Sequence, residues 1–179
     1  MLYDNKCYKT TYKMTVRGVL WHSTGCNNPQ ISRYVQPSTS DPKYQELITL
    51  LGKHPYNNHW NLPDQKLGVN AFIGRLADKK TVTTMQTLPW DYAPVGAGGG
   101  KYGTCNDGWI QFEICEDALS DRTYFDTVYQ EACELTAYLC KEYNLNPSGV
   151  IKYKGQDVPV ILDHSTACKL GFGSNHGDV

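Results

Sequence analysis

No run of apolar residues in this sequence approaches the ~18 that a membrane-spanning helix needs. The opening residues, MLYDNKCYKT, carry Lys6 and Lys9 with no apolar stretch behind them, so no secretory signal is visible. Neither sign of charge dominates. The formal net charge is −1, so there is no global basic field to hold nucleic acid or an anionic membrane. No CxxC pair occurs among the seven cysteines (Cys7, Cys26, Cys105, Cys115, Cys133, Cys140 and Cys168), and their number is odd. That argues against a disulfide framework and against a zinc ribbon. Buried free thiols made in a reducing compartment are expected instead. The run Gly98-Gly99-Gly100 has no GK[ST] behind it, so it does not signal a nucleotide loop. HxE and PCxxC, the marks of a nucleobase deaminase, are also missing.

What is present is one domain's worth of chain. The 179 residues are 40% apolar and 20% charged, with no internal repeat or low-complexity block. Val16 to Trp21 (VRGVLW) reads as a buried strand ending at His22. Asp41-Pro42 opens a helix whose apolar face is Tyr44, Leu47, Ile48 and Leu51, with Gly52 as its stop. Val69–Gly74 and Thr81–Leu88 form a hairpin, and Trp109–Cys115 (WIQFEIC) is a strand. Ser120 or Asp121 caps a long helix to about Tyr143, striped by Phe125, Val128, Tyr129, Ala132, Leu135 and Leu139. Val158 to Leu162 is a last short strand before Asp163-His164. Interleaved helices and strands indicate an α/β domain, a single central mixed β-sheet flanked by helices.

Chemistry concentrates at a few points. His22 in WHSTG and His164 in ILDHS each follow an apolar strand, and His176 and Asp178 lie two residues apart in SNHGD. Two histidines and a carboxylate could supply the three protein ligands of a catalytic zinc, with a fourth position left open. Each histidine taken alone is as readily a hydrogen-bonded structural residue. Glu113 interrupts an apolar strand. Alternation puts Trp109, Gln111, Glu113 and Cys115 on one face, which is either a solvated face or the seat of a general base.

The order WHSTG, VNAFIG, CNDGWIQFEICED, DHSTACKLGFGSNHGD resembles the zinc-dependent N-acetylmuramoyl-L-alanine amidases. That family is shared by phage endolysins, bacterial autolysins and peptidoglycan recognition proteins. The resemblance spans about Val16 to Val179. It is nearest to the branch in phages and prophages of Gram-positive bacteria, where a glycine and SNHxD follow the second zinc histidine. It implies Zn2+ held by His22, His164 and Asp178, with Glu113 and His176 catalytic. It also sets Trp90 where a tryptophan often precedes a substrate-lining position; the loop aromatics Tyr92 and Trp60, and Asn70 at the start of the hairpin, are expected to contact substrate as well.

The chain departs from the family pattern in places. His176 stands where other members carry a lysine, and Asn70-Ala71 where a Tyr-His pair is usual. Cys168 or His176 could replace Asp178 as third ligand. The implied activity is hydrolysis of the amide between N-acetylmuramic acid and the L-alanine of the stem peptide. The expected partner is peptidoglycan, with no nucleic acid and no membrane insertion, and a monomer is expected. The enzyme would be made in the bacterial cytoplasm and act at the cell wall. Because the chain ends one residue after Asp178, a further wall-binding module is expected beyond a catalytic domain of residues 1–179. The rivals are a cysteine-dependent hydrolase built on Cys26 or Cys105 and a non-catalytic peptidoglycan-binding module.

Overall fold

A computed structural model describes residues 1–175. Seven strands and four α-helices follow in the order α1 (Lys6–Thr10), β1 (Gly18–Asn27), α2 (Tyr44–Leu51), β2 (Ala71–Arg75), β3 (Val82–Gln86), β4 (Trp109–Glu116), α3 (Arg122–Glu142), β5 (Val150–Tyr153), β6 (Gln156–Pro159), β7 (Ile161–Asp163) and α4 (His164–Lys169). The main sheet has the order β3-β2-β4-β1-β7. Its β2–β3 edge is an antiparallel hairpin, and β4, β1 and β7 run parallel. The architecture is therefore the expected mixed sheet flanked by helices. Among the described residues no helix is long and apolar enough to cross a membrane.

The two faces of the sheet are covered differently. Val19, Ile110, Phe112, Ala71 and Ile73 meet α3 through Tyr124, Val128, Ala132, Leu135 and Leu139. Burying a side chain of this size stabilises by ~1.5–3 kcal/mol. Trp21 is fixed on this face: its indole Nε1–H donates to Thr136 Oγ1 at 3.0 Å, and its ring lies 5.3 Å from that of Phe112. Asp121 caps α3 as expected, accepting from Thr123 N and Tyr124 N. The buried stripe keeps Val128, Ala132, Leu135 and Leu139 and takes Tyr124 in place of Phe125 and Tyr129. Tyr124 faces the core and gives its hydroxyl proton to Cys115 O at 2.6 Å, leaving Phe125 and Tyr129 exposed. A buried acceptor for that hydroxyl decides which aromatic turns inward.

The opposite face is divided into two clusters. One gathers Phe72 and Cys115 with Leu2, Ile31, Tyr34 and Leu51; the other gathers Leu20 and Trp109 with Tyr153, Leu162, Ala167 and Phe172. Between them the sheet presents His22, Gln111 and Glu113. Trp109, Gln111, Glu113 and Cys115 are all buried, so the solvated-face alternative for β4 is replaced by a covered one.

Three other expectations are corrected. β1 does not stop before His22; pairing with β4 carries it on to Asn27, with an irregularity between Ser23 and Asn27. Asp41-Pro42 forms a turn ahead of α2, with Asp41 Oδ1 accepting from Lys43 N at 2.8 Å, and the helix starts at Tyr44. The expected strand over Val158–Leu162 is two. β6 pairs with β5 around Lys154-Gly155, and the chain then crosses to the main sheet as β7.

Candidate metal centre

His22 sits in the middle of β1. Its register partner across the parallel pair is Glu113 of β4, which is in turn the partner of Phe72 of β2. Partners across adjoining strands project from the same face, so the imidazole and the carboxylate are neighbours there. His22 is 1% exposed and Glu113 6%. His164 is the first residue of α4, placed by its cap: Asp163 Oδ1 accepts from Thr166 N at 2.6 Å. Asp163 thus orients its neighbour by capping the helix that carries it. Because β7 pairs with β1, this turn brings His164 against His22 although the two are 142 residues apart in sequence.

The two imidazoles meet edge to face, with ring centres 4.8 Å apart and Nδ1 to Nδ1 at 2.9 Å. Their outer nitrogens face acceptors. His22 Nε2–H donates to Gln111 Oε1 at 2.9 Å, and His164 Nε2–H donates to the Ser174 carbonyl at 2.8 Å. The orientation of the Gln111 amide follows from its neighbours. Asn106 Oδ1 accepts from the backbone N–H of Gly96 and of Ala97, so it accepts from Gln111 Nε2 as well, which leaves Oε1 toward His22. With the Nε2 atom of each ring on an oxygen acceptor, the two Nδ1 atoms are turned toward one another. Such an approach is accommodated by a proton or a cation held between them. A buried pair of imidazoles, each with its far nitrogen on a carbonyl oxygen, has the chemistry of two metal ligands with their outer partners.

Among the described residues no three histidine, cysteine, aspartate or glutamate side chains converge on one point. Cys168, the alternative third ligand, lies half-buried on α4. His176 and Asp178 lie outside the described residues.

The residues expected to line a substrate cleft take up different settings. Asn70 is fully buried; its amide donates to Pro89 O and Tyr92 O at 2.9 and 3.0 Å, and its Oδ1 accepts from Gln111 N at 2.9 Å. It is a strut between the 89–92 loop and β4, and a side chain so committed has no donor left for substrate. Trp90 is half-buried against the core cluster that includes Ala93, Phe112 and the apolar face of α3. Tyr92 pairs through its backbone with Lys13. Trp60 is half-buried on Phe72, with ring centres 5.1 Å apart. Sequence reasoning missed Gln111, Asn106 and the Ser174 carbonyl. The signal for Gln111 was available, since it is a polar residue in an apolar strand on the same face as Glu113.

The N-acetylmuramoyl-L-alanine amidase family matches residues 12–170. No curated relative matches the chain in sequence. Among solved structures, the Staphylococcus aureus hydrolase AmiA in complex with its ligand is similar at a TM-score of 0.56 and 19% identity, over 94% of this chain and 67% of that one. PlyL is similar at 0.52 and 18%, over 89% and 75%. The catalytic domain of XlyA is similar at 0.52 and 20%, over 90% and 77%. These structures share the fold, and the family match extends from before β1 into the end of α4, across the histidine pair. The chain belongs to the N-acetylmuramoyl-L-alanine amidase family.

Proposed function

We propose that this chain is a zinc-dependent peptidoglycan amidase that cleaves the bond between the lactyl group of N-acetylmuramic acid and the L-alanine of the stem peptide. The observation that carries the metal is the 2.9 Å approach of His22 Nδ1 to His164 Nδ1, with both outer nitrogens on oxygen acceptors. His22, His164 and Asp178 would hold the ion. When bound, it supplies Lewis acidity at water and at the amide carbonyl.

The remaining steps belong to the chain's own side chains. Glu113, beside His22 on the same buried face, takes the proton from the attacking water as the new C–O bond forms. It returns that proton to the leaving nitrogen as the C–N bond breaks. The products are the muramic acid carboxylate and a stem peptide with a free L-alanine amine. His176, by its place in the sequence, is assigned to the oxyanion, a role worth about 3 kcal/mol for one donor in other hydrolases. Action at the bacterial wall after synthesis in the host cytoplasm, as a phage or prophage lysin, belongs to the same proposal.

The test is to digest purified peptidoglycan with the zinc-loaded chain and analyse the soluble products. New L-alanine amino termini, with the glycan strands uncut, support the assignment. New reducing ends, or cleavage within the stem peptide with the muramoyl–alanine bond intact, would refute it.

A further inference from the structure

The two histidines are oriented through one peptide segment. Ala97 is fully buried, and its backbone faces both ways. Its N–H donates to Asn106 Oδ1 at 2.9 Å, and Asn106 Oδ1 accepts from Gln111 Nε2, whose amide oxygen receives His22 Nε2–H. Its carbonyl accepts the Ser174 N–H at 2.9 Å, and the Ser174 carbonyl receives His164 Nε2–H. The sequence leaves room for these approaches on each side of Ala97. A Cβ on Gly96 would meet Gln111 Oε1 at 2.5 Å, and a Cβ on Gly98 would meet Ser174 Oγ at 2.1 Å. Gly98 also has φ +65°, a conformation that side chains with a Cβ rarely adopt. Thr104 Oγ1 holds the segment by donating to the Gly98 carbonyl.

We infer that Gly96-Ala97-Gly98 is a clamp that sets the tautomer of both imidazoles, with Gln111 and Asn106 as positioning residues for His22 and the Ser174 carbonyl as the corresponding group for His164. The inference rests on the zinc reading of the histidine pair. The glycines at 96 and 98 have a physical task in it: they admit the Gln111 amide and the Ser174 side chain to the space around Ala97. The outer partners of metal-bound imidazoles fix ring orientation and raise ligand basicity, and losing one costs about 10–100-fold in metal affinity.

Gln111→Met removes the acceptor for His22 while keeping an unbranched side chain, and Gly98→Ala puts a methyl where the Ser174 Oγ and Cβ lie, displacing the residue whose carbonyl meets His164. Zinc affinity is measured by competition with a chromophoric chelator. The protonation site of each imidazole is read from its nitrogen chemical shifts in the metal-free protein. Expected in each variant is zinc binding weakened by about 10–100-fold. Protonation confined to Nε2 is lost at His22 in Gln111→Met and at His164 in Gly98→Ala. Should Gln111→Met fail to fold, Gly96→Ala reaches the same arm from a half-buried loop. Either arm keeping wild-type affinity and tautomer in a folded variant overturns the clamp. His22→Ala separates the two ideas. If it leaves zinc affinity unchanged, the metal assignment fails; if it abolishes binding while the clamp variants bind normally, only the clamp fails.

Discussion

His22 and Glu113 are register partners on adjoining parallel strands, so both side chains leave the same face of the sheet from backbones one strand spacing, ~4.8 Å, apart. This places a carboxylate beside a metal-ligand candidate without making it a ligand. Glu113→Gln keeps the shape and removes the base. The expected result is a fall in kcat of about 10²–10⁴-fold on a soluble muropeptide, with zinc content unchanged. Wild-type turnover in that variant would remove Glu113 from the reaction.

The thiol rival makes a different prediction. Cys105 is 0% exposed and burial pushes its thiol up to about 12, while burial raises Cys115 well above the ordinary thiol range. At neutral pH these are thiols rather than thiolates, and poor nucleophiles. Cys105→Ala and Cys26→Ala should keep activity, while a strong chelator abolishes it and added zinc restores it. An enzyme indifferent to the chelator but inactivated by alkylation would favour the cysteine hydrolase.

Asp121 ties the sheet edge to the start of α3. Its carboxylate accepts from Arg75 Nη2 at 2.5 Å and caps the helix through Thr123 N and Tyr124 N. The hydrogen bond from Arg75, then that from the Tyr124 N–H, holds its pKa below the ordinary 3.8. A depressed folded value means the stabilisation is complete above the unfolded value and is lost as pH falls through the folded one. Asp121→Asn, which keeps a cap acceptor, should therefore lower the urea midpoint at neutral pH. Its deficit should shrink toward zero in acid below the carboxylate range. A deficit independent of pH would mean that the charge contributes nothing.

Much of the fold was legible because it is written in short-range patterns. Apolar runs ending in His22 and before Asp163-His164 mark strands, and Asp121 is a helix cap visible from its own neighbourhood. What escaped depends on contacts between distant segments. The boundary between β6 and β7 is set by which sheet each strand joins, and Tyr124 displaces Phe125 from the core because the Cys115 carbonyl lies in reach of its hydroxyl. The packing of the loop aromatics is hidden for a related reason. Trp90 and Trp60 find apolar partners in the core, which composition alone does not reveal. The histidine pair could be proposed from sequence, and Gln111 was marked by its place on the face of Glu113 in an apolar strand; the Ser174 acceptor was not, because a backbone carbonyl carries no side-chain signal.

The most direct measurement is the zinc content of the purified protein beside that of His22→Ala and His164→Ala, determined by elemental analysis after dialysis against metal-free buffer. Convergence of the two Nδ1 atoms on a shared ion predicts one equivalent of zinc in the wild type and almost none in either variant. A His22→Ala protein still holding a full equivalent would contradict it.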